Sequence, residues 1–364
     1  MLEVEVHKPM VRVKRDQLRE GCVIAEDVLG KTKKPIIPKK TVITEPLLHV
    51  LSKFLIDEVE IEPVLVNGDP FLADDLFSTK PDERPFMLYL EAVQQYKRAF
   101  QSWQSGLPID IGEIREIAIP LFNKIIKYKW ELLMLHHYTT KEEYIYHHAV
   151  SVGLLAGFLA MQLGHTQGEC HQIVLAGVLS DCGMAKISSQ ILLKPSALTE
   201  AEFREIERHP IYSYRMVQNI AALNQGAKLA VLQHHERNDG SGYPLRVKTE
   251  KIHPYAQLIA VADVYYAMTS ERLYRRKQSP LRVIEIMRRE QEGRLNAEVV
   301  ALLFNHLVRL QTGTMIKLSN GEIAEVVFTH PDEPLRPIVK MIETGQLLSL
   351  TQQRDLYIED ILSS

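Results

Sequence analysis

The string HHERNDGSGYP, His234 to Pro244, sets two adjacent imidazoles ahead of a glycine-rich turn. It lies inside a long section, Phe86 to about Leu310, whose apolar residues recur at helical spacing. Leu88, Leu90, Ala92 and Val93 open one amphipathic stretch there; Ile111, Ile114, Ile117, Leu121 and Ile125 mark another. Pro120 falls within that second stretch and predicts a kink or a split. Further helices are predicted to start near Thr140, Gly168, Thr199, Asn224, Pro254, Ser279 and Asn296. Acids follow Thr199 in the first turn and proline follows Ser279, both common at helix starts.

The flanks read differently. Residues 1–66 mix short alternating runs with a helical stretch near Glu45–Leu55 and a strand near Glu58–Val66, a small α+β module. Residues 67–85 hold five acids and three prolines and read as an acidic linker. A helical connector over 86–138 then leads to the main helical domain, 139–310. Residues 311–364 return to strands, with Asn320-Gly321 between two alternating runs as a hairpin signal. The fold class expected is mainly α: a helical bundle core flanked by a small N-terminal α+β module and a C-terminal β-rich one.

Composition narrows the function. Among 364 residues, 43 Lys+Arg stand against 46 Asp+Glu, a net charge of -3 that argues against coating a nucleic-acid polymer or an anionic membrane. Three cysteines, widely separated, give no disulfide scaffold and fit a reducing cytoplasm. The most apolar stretch, Ala149 to Gly164, is short for a membrane span.

Fourteen histidines are the unusual count. His148, Asp181, His209, His234, His235 and Asp263 all lie beside helix-like sequence, so separate helices can converge them, as bundles do when they build metal sites. Imidazole with carboxylate suits Fe, Mn, Zn or Ni, and Asp181 has two oxygens with which to bridge ions. The competing reading is surface or satisfied core histidines.

The wording around these residues separates the two. HHERNDGSGYP closely resembles the signature of HD-GYP proteins, a subset of the HD phosphohydrolase superfamily. EEYIYHHAVSV resembles the family's first-histidine helix and points to His148 rather than His147. ILLKPSALTEAEF, His209-Pro210 and IAVADVYYAMTSERLYRR follow in family order, so the likeness covers about Lys141 to Leu307. It implies an all-helical domain holding divalent transition metal, Fe or Mn, and hydrolysing cyclic di-GMP in bacterial signalling. His148, Asp181 and Asp263 would serve one ion; His209, His234 and His235, with Asp181 bridging, the other. Asp181 would be the catalytic residue. Gly242 and Tyr243 of the turn, with Arg272 and Arg275, would contact substrate.

Two departures fall at the chemistry. The family's His-Asp dipeptide is Ser180-Asp181 here, and its following lysine is Met184. Disturbing even a residue behind a ligand costs about 10–100-fold in metal affinity or activity, so a lost imidazole should cost at least that. Losing a cation at the phosphate is worth about 10²–10³ in rate, and the two losses need not add. Tyr144 stands where some three-metal members place glutamate, which implies one or two ions. Two functions therefore compete: a weakened cyclic di-GMP phosphodiesterase, and an inactive module that binds a cyclic dinucleotide or a protein. A homodimer through the connector helices is a further expectation.

Overall fold

The computed structural model describes residues 11–363, apart from 16–17, 19, 30–34, 55, 57, 63–65, 67–84, 193, 195, 271–277, 291–292, 309 and 332. The acidic segment thus lies outside the described residues, save Pro85 at its end. The chain divides into two compact units, Met1–Pro81 and Asp82–Ser364.

In the first unit, β1 (Val11–Lys14), β2 (Val28–Leu29) and β3 (Pro35–Ile37) precede α1 (Glu45–Lys53) and β4 (Glu58–Ile61). β1 pairs antiparallel with β4, and β2 with β3. Alternation along β1 and β4 turns Val13, Val59 and Ile61 inward onto Ile24, Ile43 and Leu51.

The second unit opens with α2 (Pro85–Gln104), α3 (Ile111–Ile125) and α4 (Lys129–Leu133). Pro120 neither kinks α3 apart nor ends it. It lies on the exposed side, where water can satisfy the backbone carbonyl that its missing N–H leaves free. Two long apolar helices follow, α5 (Tyr144–Gln162) and α6 (Gln167–Leu179), then α7 (Ser189–Leu192), α8 (Glu200–Ile206), α9 (His209–Val217) and α10 (Gln225–Gln233). α11 (Pro254–Thr269), α12 (Pro280–Glu290) and α13 (Ala297–Leu307) complete the helical body. Side chains at the predicted starts hold the helices: Thr166 and Thr199 form capping boxes with Glu169 and Glu202, and Asn224 and Asn296 cap α10 and α13.

The chain ends in a sheet of β5 (Met315–Leu318), β6 (Ile323–Phe328), β7 (Ile338–Met341), β8 (Leu347–Ser349) and β9 (Ile358–Ser363), in the order β8-β7-β6-β5-β9. The predicted hairpin joins β5 to β6, with Gly321 at a positive φ of 88°. Arg336 and Glu285 form a buried ion pair that ties this sheet to α12.

α5 starts five residues before the apolar stretch read from sequence. Among the described helices it alone is long and apolar enough to cross a membrane, and 78% of that window is buried inside the fold. Its apolarity serves the core. α6 packs against it where glycines meet: a Cβ on Gly177 would come within 2.6 Å of the Gly153 Cα, and one on Gly153 within 2.7 Å of the Val174 carbonyl oxygen. α2 lies along α5 through the Tyr89 hydroxyl, 2.9 Å from both His147 Nδ1 and Ser151 Oγ.

Two predictions follow from this packing. Gly177→Ala has no room to relax, because backbone faces it; it should cost about 1–3 kcal/mol, read as a lowered Tm. Burial pushes the His147 imidazole down to about 4, with Glu143 opposing. Its folded pKa lies below the unfolded value, so its contribution to stability is complete above about pH 6.5 and lost as pH falls towards 4. Denaturant titrations at pH 7 and 4.5 should show a smaller acid loss in His147→Gln than in wild type.

Candidate metal centre

Five helices deliver the six predicted ligands, mostly at their ends. His148 stands one turn into α5. Asp181 follows the last turn of α6 and opens a short 3-10 turn, Cys182–Lys186. His209 is the first residue of α9, His234 and His235 follow α10, and Asp263 lies within α11. His148, Asp181, His209, His234 and Asp263 are all buried.

Asp181 is the centre of the group. Its Oδ1 lies 3.0 Å from His209 Nε2 and 3.6 Å from His234 Nε2, while its Oδ2 lies 3.6 Å from His148 Nε2. Asp263 places Oδ1 3.0 Å from His148 Nε2 and Oδ2 3.5 Å from His235 Nδ1. The structure therefore brings all six together. One carboxylate oxygen of Asp181 faces each of the two ligand sets.

The donor atoms suit a cation. His209 Nδ1 lies 2.7 Å from the Ile206 carbonyl and His234 Nδ1 lies 2.9 Å from that of Val231. Each carbonyl only accepts, so each Nδ1 carries a proton and Nε2 is the atom left to present a lone pair to a metal. Those two Nε2 atoms face one another at 3.2 Å, beside an Asp181 Oδ1 that is buried with no hydrogen-bond partner. Three electron-rich atoms crowded together without protons repel unless a positive ion lies among them. Asp181, His209, His234 and His235 each offer one ligand atom within 4.8 Å of the others.

Without a cation, protons on these imidazoles would take its place beside Asp181. Burial acts to raise the Asp181 pKa, but the imidazoles of His209, His234 and His148 outweigh it and hold the carboxyl well below its usual range. Asp263 is likewise lowered against its burial, by His235 and His148. Burial, then His234, keeps His235 well below the ordinary imidazole value. Charged carboxylates and a neutral His235 are the forms that bind metal.

The cluster floors a cavity of about 490 Å³, whose lining includes His148, Asp181, His209, His235, Tyr243 and Asp263. Met184 lines it too. Ser180 takes no part: its hydroxyl donates to the Gly177 carbonyl at 2.7 Å, back into α6. Lys186 is committed elsewhere, donating to the Trp103 carbonyl at 2.8 Å. Cys182 is buried, and its thiol is pushed up to about 12 by that burial. Tyr144 places its hydroxyl 3.1 Å from His148 Nδ1, behind the ligand.

Tyr243 lies at the cavity as predicted, its ring centroid 4.7 Å from that of His235. The space a Cβ at Gly242 would fill is occupied by the backbone of residues 235–237, with Arg237 N at 2.4 Å, so the glycine lets the turn pack closely. Arg272 and Arg275 lie outside the described residues.

Two positioning residues escaped the sequence reading. Glu236 is buried and accepts from the backbone N–H of Leu245, Arg246 and Val247 at 2.6, 3.1 and 3.1 Å, closing the loop that carries Tyr243. Ser213 Oγ accepts from Gly183 N at 2.7 Å, holding the Asp181 turn against the start of α9. Glu236 stood inside the quoted string, but partners that are backbone amides nine to eleven residues away leave no residue-type signal. Adding Mn²⁺ at 100-fold over its Kd should stabilise the protein by about 2.7 kcal/mol, read as a raised Tm. Asp181→Asn should abolish that shift, and Ser180→Ala should leave it intact.

Residues 134–299 match the HD domain family. A cyclic di-GMP phosphodiesterase of Pseudomonas aeruginosa is 31% identical over 242 residues, covering 66% of this chain and 58% of that protein. A cyclic di-GMP phosphodiesterase response regulator of Xanthomonas campestris is 41% identical over 122 residues, 33% of this chain and 32% of that protein. A 3'3'-cGAMP-specific phosphodiesterase of Vibrio cholerae is 34% identical over 169 residues, 46% of this chain and 39% of that protein. The chain spans under two thirds of the length of these relatives. Among solved structures, an HDG"Y"P protein from Bdellovibrio bacteriovorus has the same fold, with a TM-score of 0.52 at 16% identity, covering 82% of this chain and 99% of that one. The match to the HD domain family thus lies within the helical body, over the residues that carry the His/Asp cluster.

Proposed function

We propose that this chain is a metal-dependent cyclic dinucleotide phosphodiesterase, with cyclic di-GMP as its first candidate substrate. The observation that carries the reading is the Asp181 carboxylate set among converging imidazole nitrogens on the floor of a cavity of about 490 Å³. The relatives named as cyclic di-GMP phosphodiesterases support the substrate class.

In this reading His148, Asp181 and Asp263 would hold one Fe or Mn ion, and His209, His234 and His235 with Asp181 would hold a second. A bound ion pair would neutralise the phosphodiester and lower the pKa of the attacking water. The protein's own part is preorganisation. The Ile206 and Val231 carbonyls lock two imidazoles in the ligating tautomer, Asp181 ties the two ligand sets, and the Glu236 loop sets Tyr243 against His235 at the mouth. Apolar side chains such as Ile145, Ile191 and Leu192 exclude water from the wall.

A second reading, a binding regulator without turnover, is favoured by one specific observation. Ser180 spends its hydroxyl on the α6 backbone, and Met184 brings no charge to the phosphate. Assay of the purified chain with cyclic di-GMP and excess Mn²⁺ or Fe²⁺ separates the two. The expected result is slow turnover, lost in Asp181→Asn and raised about 10²–10³-fold by Ser180→His with Met184→Lys. Metal and dinucleotide binding with no conversion would establish the regulator instead.

A further inference from the structure

We infer that Phe203 is the platform on which a nucleobase of the bound cyclic dinucleotide stacks; this rests on the functional reading above. Phe203 lies on α8, 50% exposed, and borders the same cavity whose floor holds the metal ligands. A single exposed phenylalanine is ordinary on a protein surface. This one differs in its company. Ile191, Leu192, Leu198 and Ile206 line the same cavity beside it, together with His209.

The platform and the metal centre share one element. Ile206 stands three residues after Phe203, on the same side of α8, and its carbonyl anchors His209 Nδ1 at 2.7 Å. The start of α8 is held by the Thr199–Glu202 capping box and by Lys194 Nζ, 2.6 Å from Glu202 Oε2. Phe203 is therefore carried at a set offset from the ligand that would hold the phosphodiester. A cyclic dinucleotide has an anionic ring and flat apolar base faces. Its ring meets the His/Asp floor, and a base then meets the Phe203 wall. Lys141 and Met184 line the same cavity. Stacking would add affinity for the base to the hold on the anionic ring.

Stacking on an aromatic face is tolerant of base identity. Phe203→Leu should thus weaken cyclic di-GMP and 3'3'-cGAMP alike, raising Kd roughly tenfold or more. The test is calorimetric titration of the full chain with phosphorothioate analogues of both dinucleotides, with bound metal measured in the same samples. Phe203→Trp should retain wild-type affinity, which a merely apolar packing role would not require over leucine. Equal binding by Phe203→Leu and wild type overturns the inference and leaves the functional reading standing. Loss of metal in Phe203→Leu overturns it too, since the residue would then act through His209. A wild-type chain that binds neither dinucleotide overturns the functional reading itself, and this inference with it.

Discussion

The site depends on one buried carboxylate. Asp181 is charged in a place where burial opposes charge, and it stays so because three imidazoles surround it. His209 and His234 are in turn held by the main-chain carbonyls of Ile206 and Val231, and His148 meets the Tyr144 hydroxyl. Each Nδ1–H bond fixes a ring orientation, and the sum turns the Nε2 nitrogens and a carboxylate oxygen towards one small volume. Such an arrangement is costly in an empty interior and favourable around a cation.

Helix packing serves this centre. Gly153 and Gly177 let α5 and α6 approach backbone to backbone, which sets the spacing between the helix of His148 and the end that leads into Asp181. Beyond Asp181, Gly183 abuts the start of α9, where any Cβ would strike the His209 carbonyl at 2.3 Å. Close contacts between small residues thus place three ligands that are far apart in sequence. The α2 helix adds a clasp at both ends, through Tyr89 on α5 and through the Trp103 carbonyl on Lys186.

The departures from the HD-GYP pattern have a local explanation in how each residue is satisfied. Serine at 180 is comfortable because its hydroxyl finds the carbonyl one turn back, a common habit of serine in helices. Met184 is comfortable because it lies on an otherwise apolar wall. Neither substitution disturbs the fold, so the chemistry can change while the ligand cluster stays assembled.

Much was legible from residues alone because the signals are local. Helix caps act over three residues, so Thr199, Asn224 and Asn296 announced their helices, and Asn320-Gly321 announced its hairpin. The six residues that converge around Asp181 and Asp263 stand out by their chemistry and wording. What only the tertiary structure decided involves partners without a sequence signature: which Asp181 oxygen faces which histidine, and that Ser180 turns away. Gly242 packing on backbone, and Glu236 closing a loop on three amides, belong to the same class. Backbone groups are the same in every residue, so hydrogen bonds and close contacts to them are written in the fold and not in the side-chain order.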